Sequence, residues 1–306
     1  MAISGNKLRK KTVLTLVLSL LLGSFVMLTV VDFSDWIVGA LIQPTFSKPE
    51  TSLSPKKWGI AYQNVELQTS DNVTIKGWFL KNPKSGGKTI ILCHGLGDSR
   101  WGALGTGVGL YQSGNYNIFL FDFRRHGLSQ KTYFTFGYYE KQELLAIENY
   151  LVKEVGKDVA IGILGWSAGA SIALQSIPLM SNVHGVIAIN PFATLREAIY
   201  HRSPFFIPKS TVERGIKKAE KLAKFRVDST SPIQSIKRAK LPVFLMVGDK
   251  DRIIPPAHSY QLHAANKRYT TLWTLQGYCH NNWWKHPQFF AKVLTFFQKS
   301  LKTKRK

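Results

Sequence analysis

Gly165-Trp166-Ser167-Ala168-Gly169 decides how this chain is read. It follows an apolar, strand-like run, Val159–Leu164, and leads into a run of small residues with helical character, Ala170–Ser176. A G-x-S-x-G pentapeptide in that setting predicts a nucleophile elbow, a sharp strand-to-helix turn that strains a serine and pushes its hydroxyl out above a sheet. The residues two positions either side must be tiny, because strand and helix approach too closely there for side chains.

A serine hydroxyl is a poor nucleophile until a base takes its proton, and that base must be oriented by a third group. The acid and the histidine are expected downstream, in that order, on strand ends. Asp251 fits the acid: it follows the apolar run Pro242–Gly248, in the turn Gly248-Asp249-Lys250-Asp251-Arg252-Ile253-Ile254-Pro255. Asp249 is its close rival, and a turn-capping role is open to either. Beyond the acid lie His258, His263, His280 and His286. His258 and His263 fall on a predicted helix, in solvated or core roles, and His286 opens and caps the last helix. His280 stands in a loop directly after a strand, Leu275-Gln276-Gly277-Tyr278-Cys279-His280, where the base belongs.

The same chemistry needs donors for the developing oxyanion. The N–H of Ala168 is one candidate. The N–H of Leu96, in His94-Gly95-Leu96-Gly97 after a third strand, is the other. His94 is read as a shaper of that loop through bonds to local backbone.

Outward from the elbow, strands alternate with helical segments, which predicts a mostly parallel sheet covered on both faces. Strands are expected at Asn64–Thr69 and Thr74–Leu80 (an antiparallel pair), Lys88–Cys93, Tyr116–Phe123, Val159–Leu164, Val183–Asn190, Pro242–Gly248 and Tyr269–Gln276. Helices are expected at Glu140–Val155, His258–Ala265 and Pro287–Leu301. Residues 191–240 interrupt the rhythm. They hold a basic amphipathic helix with apolar positions Val212, Ile216, Ala219 and Leu222, and read as a lid inserted between two strands, with a structural excursion that merely covers the core as the alternative.

Residues 13–31 carry no charge and are long enough to cross a bilayer's hydrocarbon core. Lys7, Arg9, Lys10 and Lys11 precede them, and Asp32 and Asp35 follow. That asymmetry predicts a single-pass anchor, with residues 1–12 cytoplasmic and the catalytic part exported to the periplasmic or extracellular side. A cleaved signal peptide is the alternative, although its apolar core is usually shorter and ends in small residues. Residues 32–59 read as a linker, 60–301 as the catalytic domain, and 302–306 as a basic tail.

The chain of 306 residues has 41 Lys and Arg against 18 Asp and Glu, a net charge of +23. No helix-turn-helix, zinc-finger or RNA-binding signature accompanies that charge, so nucleic acid is not an expected partner. A domain tethered beside anionic head groups accounts for it, as does a plain solvated basic surface. Cys93 and Cys279, the two cysteines, show no metal-ligand spacing; they read as two buried free thiols, with a single bridge near the site as the alternative.

Taken together, His94-Gly95-Leu96-Gly97, Asp122-Phe-Arg-Arg-His126-Gly127-Leu-Ser129, the elbow, the Asp251 turn and Gly277-Tyr-Cys-His280 resemble the α/β-hydrolase superfamily over about residues 60–300. The likeness leans toward membrane-anchored, esterase-like and peptidase-like bacterial members. It implies a Ser167-Asp251-His280 triad and no metal or cofactor. One departure is Arg125, where the family's D-x-R-G-H-G-x-S pattern usually has glycine.

The leading expectation is a serine hydrolase cleaving carboxylic esters or thioesters, on small-molecule or lipid-like acyl substrates. Loop aromatics (Tyr133, Phe134, Phe136, Phe205, Phe206, Trp283, Trp284) point to an apolar acyl pocket, with Phe205, Phe206 and Trp283 as substrate contacts. A serine peptidase is the enzymatic alternative, although no carboxylate for a substrate amine is identified. A catalytically silent, membrane-tethered interaction protein is the alternative of another class.

Overall fold

Strand β3 (Lys88–Cys93) shows why the interior is organised as it is. Ile91 and Cys93 belong to one apolar cluster and Ile90 and Leu92 to another, so successive side chains feed opposite faces. A strand buried on both faces has no polar alternation, and its sequence is a continuous apolar run. The computed structural model describes residues 12–19, 33–44, 46 and 52–301. Eight strands form one sheet: β1 (Gln63–Gln68), β2 (Thr74–Leu80), β3, β4 (Asn117–Asp122), β5 (Ala160–Trp166), β6 (Val183–Ile189), β7 (Val243–Gly248) and β8 (Thr270–Leu275). Their spatial order is β1-β2-β4-β3-β5-β6-β7-β8. The β1–β2 and β2–β4 pairs are antiparallel, and every later pair is parallel.

The helices, numbered in chain order, are α1 (Ser34–Ile42), α2 (Arg100–Gly114), α3 (Lys141–Val155), α4 (Ala168–Ser176), α5 (Leu195–Arg202), α6 (Lys209–Ala223), α7 (Pro232–Arg238), α8 (Pro256–Ala265) and α9 (Phe289–Ser300). One face of the sheet is covered by α3, α4, α7 and α8 through Leu144, Ile147, Ile172, Ile236 and Leu262. The other is covered by α2 and α9 through Leu104, Val108, Val293 and Phe297. A third cluster, above the strand ends, joins α1, α5 and α6.

Several expectations are corrected. The stretch read as a linker, 32–59, contains α1, whose Ile37, Val38, Leu41 and Ile42 are buried. Helix α2 has no counterpart in the sequence reading. Its fifteen residues include Gly102, Gly105, Gly107, Gly109 and Gly114, each worth about 1 kcal/mol less than alanine in an isolated helix. Packing needs at least one of them: a Cβ on Gly109 would sit 2.7 Å from the Phe290 ring of α9. The stretch read as a lid, residues 191–240, includes α7, which carries Ile236 into the sheet-facing core. Within α6, Val212, Ile216 and Ala219 are buried as the stripe requires, but Leu222 is half exposed.

No helix among the described residues is long and apolar enough to cross a membrane. Residues 12–19 are helical, and the remainder of the expected anchor at 13–31 lies outside the described residues. So do residues 1–11 of the basic segment and the 302–306 tail.

Candidate active site

Strand β5 delivers the chain to Ser167, and α4 begins one residue later. Ser167 has φ 54° and ψ −124°, a conformation that costs a non-glycine residue about 1–3 kcal/mol. The turn is held by Ser167 N–H donating to the Ile189 carbonyl at 2.8 Å. Gly169 keeps the helix close: a Cβ there would lie 2.3 Å from the carbonyl oxygens of Cys93 and His94.

Ser167 Oγ lies 2.8 Å from His280 Nε2, and His280 Nδ1 lies 2.6 Å from Asp251 Oδ2. Asp251 follows β7 and is buried; its Oδ1 accepts the N–H groups of Ile253 at 2.8 Å and Ile254 at 2.9 Å. With that oxygen committed, Oδ2 is the one turned to the imidazole. A carboxylate only accepts, so Nδ1 carries the ring proton and Nε2 offers its lone pair to the serine hydroxyl. Asp249, the rival acid, faces away: its Oδ1 accepts Gly277 N–H at 2.7 Å and anchors the start of the histidine loop.

Asn190, which sequence reasoning missed, joins the two loops. At the end of β6 it has φ 50°, its Nδ2 donates to the His280 carbonyl at 3.0 Å, and its Oδ1 accepts Gly248 N–H at 3.0 Å. The only signal in the sequence is an amide side chain ending an apolar strand just before Pro191.

The loop carrying Leu96 is shaped by two buried imidazoles. His94 Nε2 accepts Phe123 N–H at 3.0 Å, which leaves Nδ1 to donate to the Gly95 carbonyl at 2.8 Å. His126 repeats the arrangement, accepting Gly97 N–H at 3.2 Å and donating to the Arg124 carbonyl at 3.0 Å. Burial pushes both rings down, His94 well below the ordinary histidine range with a push from His126, and His126 to about 4 with Arg125 adding to the effect. Both are therefore neutral at physiological pH, and His94 acts on the loop as expected. Among the described residues the Leu96 amide donates no hydrogen bond. Ala168 opens α4, so its amide has no acceptor within the helix.

The motif around Asp122 braces this loop from behind. Asp122 accepts the N–H groups of Arg100 and Leu128, each at 2.8 Å, and pairs with the Arg100 guanidinium at 3.1 Å. Arg124 is buried and reaches Glu143 at 2.5 Å and Asp71 at 2.7 Å. Arg125 has φ 68°, which explains why glycine is usual there.

Ser167 opens into a cavity of about 1150 Å³. Of the three expected substrate contacts, only Trp283 lines it. Phe205 is fully exposed and Phe206 half exposed, because the Ser203–Pro208 loop turns outward and Phe206 edges against Phe33 instead. Of the other loop aromatics, Phe136 and Trp284 line the cavity, whereas Tyr133 and Phe134 do not. Cys93 is buried in β3 but Cys279 is exposed, and both are free, which corrects the expectation of two buried thiols. His258 accepts Ala193 N–H at 3.3 Å, His263 Nδ1 lies 2.8 Å from Thr270 Oγ1, and His286 accepts Gln288 N–H at 3.1 Å ahead of α9.

This sheet order, with a strained serine after β5 and an acid and a histidine after β7 and β8, defines an α/β-hydrolase. The profile of the alpha/beta hydrolase family matches residues 90–293, and the chain belongs to that family. It is 26% identical to the Arabidopsis thaliana alpha/beta hydrolase domain-containing protein WAV2 over 289 residues, 90% of this chain and 91% of that one. It is 23% identical to an uncharacterized membrane protein of Saccharomyces cerevisiae, covering 69% of this chain and 70% of that one. Among solved structures, the Pyrococcus furiosus esterase Pf2001 superposes with a TM-score of 0.69 at 26% identity, over 84% of this chain and all of that one. A Pyrococcus horikoshii acylaminoacyl peptidase shares the fold at 17% identity, with a TM-score of 0.63 over 81% of this chain and 42% of that one. The esterase neighbour supports a hydrolase of this fold, and the peptidase likeness speaks to the fold alone.

Proposed function

We propose that the chain is a serine hydrolase of carboxylic esters or thioesters. The observation that carries this reading is the unbroken hydrogen-bond chain from Asp251 through His280 to Ser167, ending at the mouth of a cavity walled largely by apolar side chains. Ser167 Oγ attacks the acyl carbonyl as His280 Nε2 takes its proton. The carbonyl electron pair moves to oxygen, where the Leu96 and Ala168 amides receive the negative charge. Asp251 stabilises the imidazolium. The imidazolium returns its proton to the departing alcohol or thiol, leaving an acyl-Ser167. A water, deprotonated by His280 in turn, hydrolyses the acyl-enzyme and restores the serine.

A second reading, a serine peptidase, is favoured by one observation. Asp98 lines the same cavity and offers a carboxylate to a substrate amine. Burial raises its pKa, against the opposing hydrogen bonds from Ser99 N–H and Trp166. We also infer a membrane tether at residues 13–31, with the catalytic domain exported and lipid-like acyl substrates within reach. Its support is the uncharged run with its basic flank, together with the yeast relative, which is described as a membrane protein.

A fluorophosphonate probe tests the central reading. Ser167 is expected to be labelled in the folded chain, and labelling is expected to vanish in Ser167→Ala. An unlabelled Ser167 leaves a silent interaction protein of this fold as the better account. A panel of p-nitrophenyl esters run beside peptide amides separates esterase from peptidase, and an alkaline-phosphatase fusion after residue 301 reports the side of the membrane.

A further inference from the structure

Helix α1 lies outside the segment matched by the family profile, yet Trp36, Ile37, Ala40 and Leu41 line the cavity that holds Ser167. The helix is built into the fold. Ile37 packs into a notch on α6 where a Cβ on Gly215 would come within 2.7 Å, and Lys218 Nζ donates to Ser34 Oγ at 2.6 Å and Asp35 Oδ1 at 3.0 Å. Its far end is clamped by the residue that departs from the family pattern. Arg125 Nη2 donates to the Gln43 carbonyl and Nε to the Pro44 carbonyl, both at 3.0 Å, so the guanidinium grips the chain just past the C-terminus of α1. Two residues on, Phe46 stacks on His126 with centroids 4.4 Å apart. On the cavity side, α1 shares an apolar cluster with Phe192, Leu195, Ala198 and Ile254.

We propose that α1, fastened by Arg125, is the wall of an acyl-binding subsite, and that it reads the length of the acyl chain attached to Ser167. This rests on the serine hydrolase reading above. A cavity of about 1150 Å³ exceeds what an acetyl group fills, and its α1 side is hydrocarbon. Each methylene gained or lost in such a pocket is worth about tenfold or more in discrimination. The exposed Ala40 faces the cavity without entering the buried core, so enlarging it shortens the subsite and leaves the packing against α6 in place.

The test measures kcat/KM of the full chain on p-nitrophenyl acetate and octanoate and compares their ratio. Ala40→Trp is expected to lower the octanoate-to-acetate ratio by at least about tenfold. Arg125→Gly places the residue that favours φ 68° at that position, so it retains the backbone turn while releasing the helix end together with the longer 3.3 Å contact to the Thr132 carbonyl; the ratio is expected to fall in the same direction. Arg125→Lys is expected not to restore it, because one ammonium cannot reproduce the two-carbonyl grip. A ratio within about twofold of the parent in both Ala40→Trp and Arg125→Gly overturns the proposal, since the predicted discrimination is several times larger. Fluorophosphonate labelling separates the two levels: labelled variants with an unchanged ratio refute the subsite alone, whereas an unlabelled, inactive parent refutes the hydrolase reading and the subsite with it.

Discussion

Replacing Asp251 with asparagine probes the hydrogen-bond chain at its most constrained point. Asp251 Oδ1 already faces two N–H donors, from Ile253 at 2.8 Å and Ile254 at 2.9 Å. An asparagine must present its carbonyl oxygen to them, since an NH2 there would oppose both. The amide NH2 is then directed at His280 Nδ1 across the 2.6 Å contact. Nδ1 must accept, so the single proton of the neutral ring moves to Nε2, where it faces Ser167 Oγ as a donor. The base has lost its lone pair, and the serine keeps its proton. A wrong-tautomer triad loses about 10⁴ in kcat, or about 5 kcal/mol of transition-state stabilisation at about 1.4 kcal/mol per decade. The assay is kcat on p-nitrophenyl acetate, with thermal unfolding to verify the fold. Asp249→Asn is the matched control, because Asp249 serves Gly277 and not the imidazole. An Asp251→Asn enzyme within tenfold of the parent, or an Asp249→Asn enzyme as damaged as Asp251→Asn, refutes the reasoning.

Two further outcomes follow from the same geometry. Ser167→Gly removes about 1–3 kcal/mol of backbone strain against about 0.5–1 kcal/mol of added chain entropy, so the inactive variant is expected to melt about 2 °C higher. A lower melting temperature argues against strain at the elbow. The folded state holds His126 at about 4 against an ordinary value of 6.5, so the unfolded chain takes up the proton first as pH falls. Stability is therefore complete above pH 6.5 and declines toward pH 4, by up to about 3 kcal/mol from this ring, with His94 acting in the same direction. Urea midpoints at pH 7.5 and 4.5 measure the decline, which is expected to be smaller in His126→Gln; an identical decline in both removes the imidazole from the account.

The hydrogen-bonded group of Ser167, His280 and Asp251 was legible because it obeys local rules. A strand, a serine between small residues and a helix are contiguous in the chain, and Asp251 and His280 each stand just past an apolar run that has only one structural reading. Helices α1 and α2 were not legible, for opposite reasons. Residues 34–42 form a short helix just ahead of a proline-containing segment (Pro44, Pro49, Pro55), and it is held by tertiary packing and by Arg125. Residues 100–114 are rich in glycine, which propensity reads as breaking, whereas the fold uses it for close approach to Phe290. The aromatic content of the loops was visible, but the direction in which each ring points was not. Phe205 and Phe206 turn outward with their loop, while Trp36 and Phe290 enter the cavity from elements whose sequences gave no sign of it. Asn190 carried only a weak signal because its importance lies in two distant backbone groups that the sheet brings together.

That amide has a consequence for how such an enzyme changes over generations. Through Asn190 the loop that leads to the acid and the loop that carries the base share one reference point on β6. Among the described residues, no hydrogen bond runs from α1 or α6 to Ser167, Asp251 or His280. The proton-transfer chain and the walls around the substrate are therefore separable inheritances. Sequence drift or a grafted segment in 34–42, whose residues line the cavity, can alter what the proposed subsite admits without retuning the chemistry, whereas 209–223 acts only through its packing against that helix.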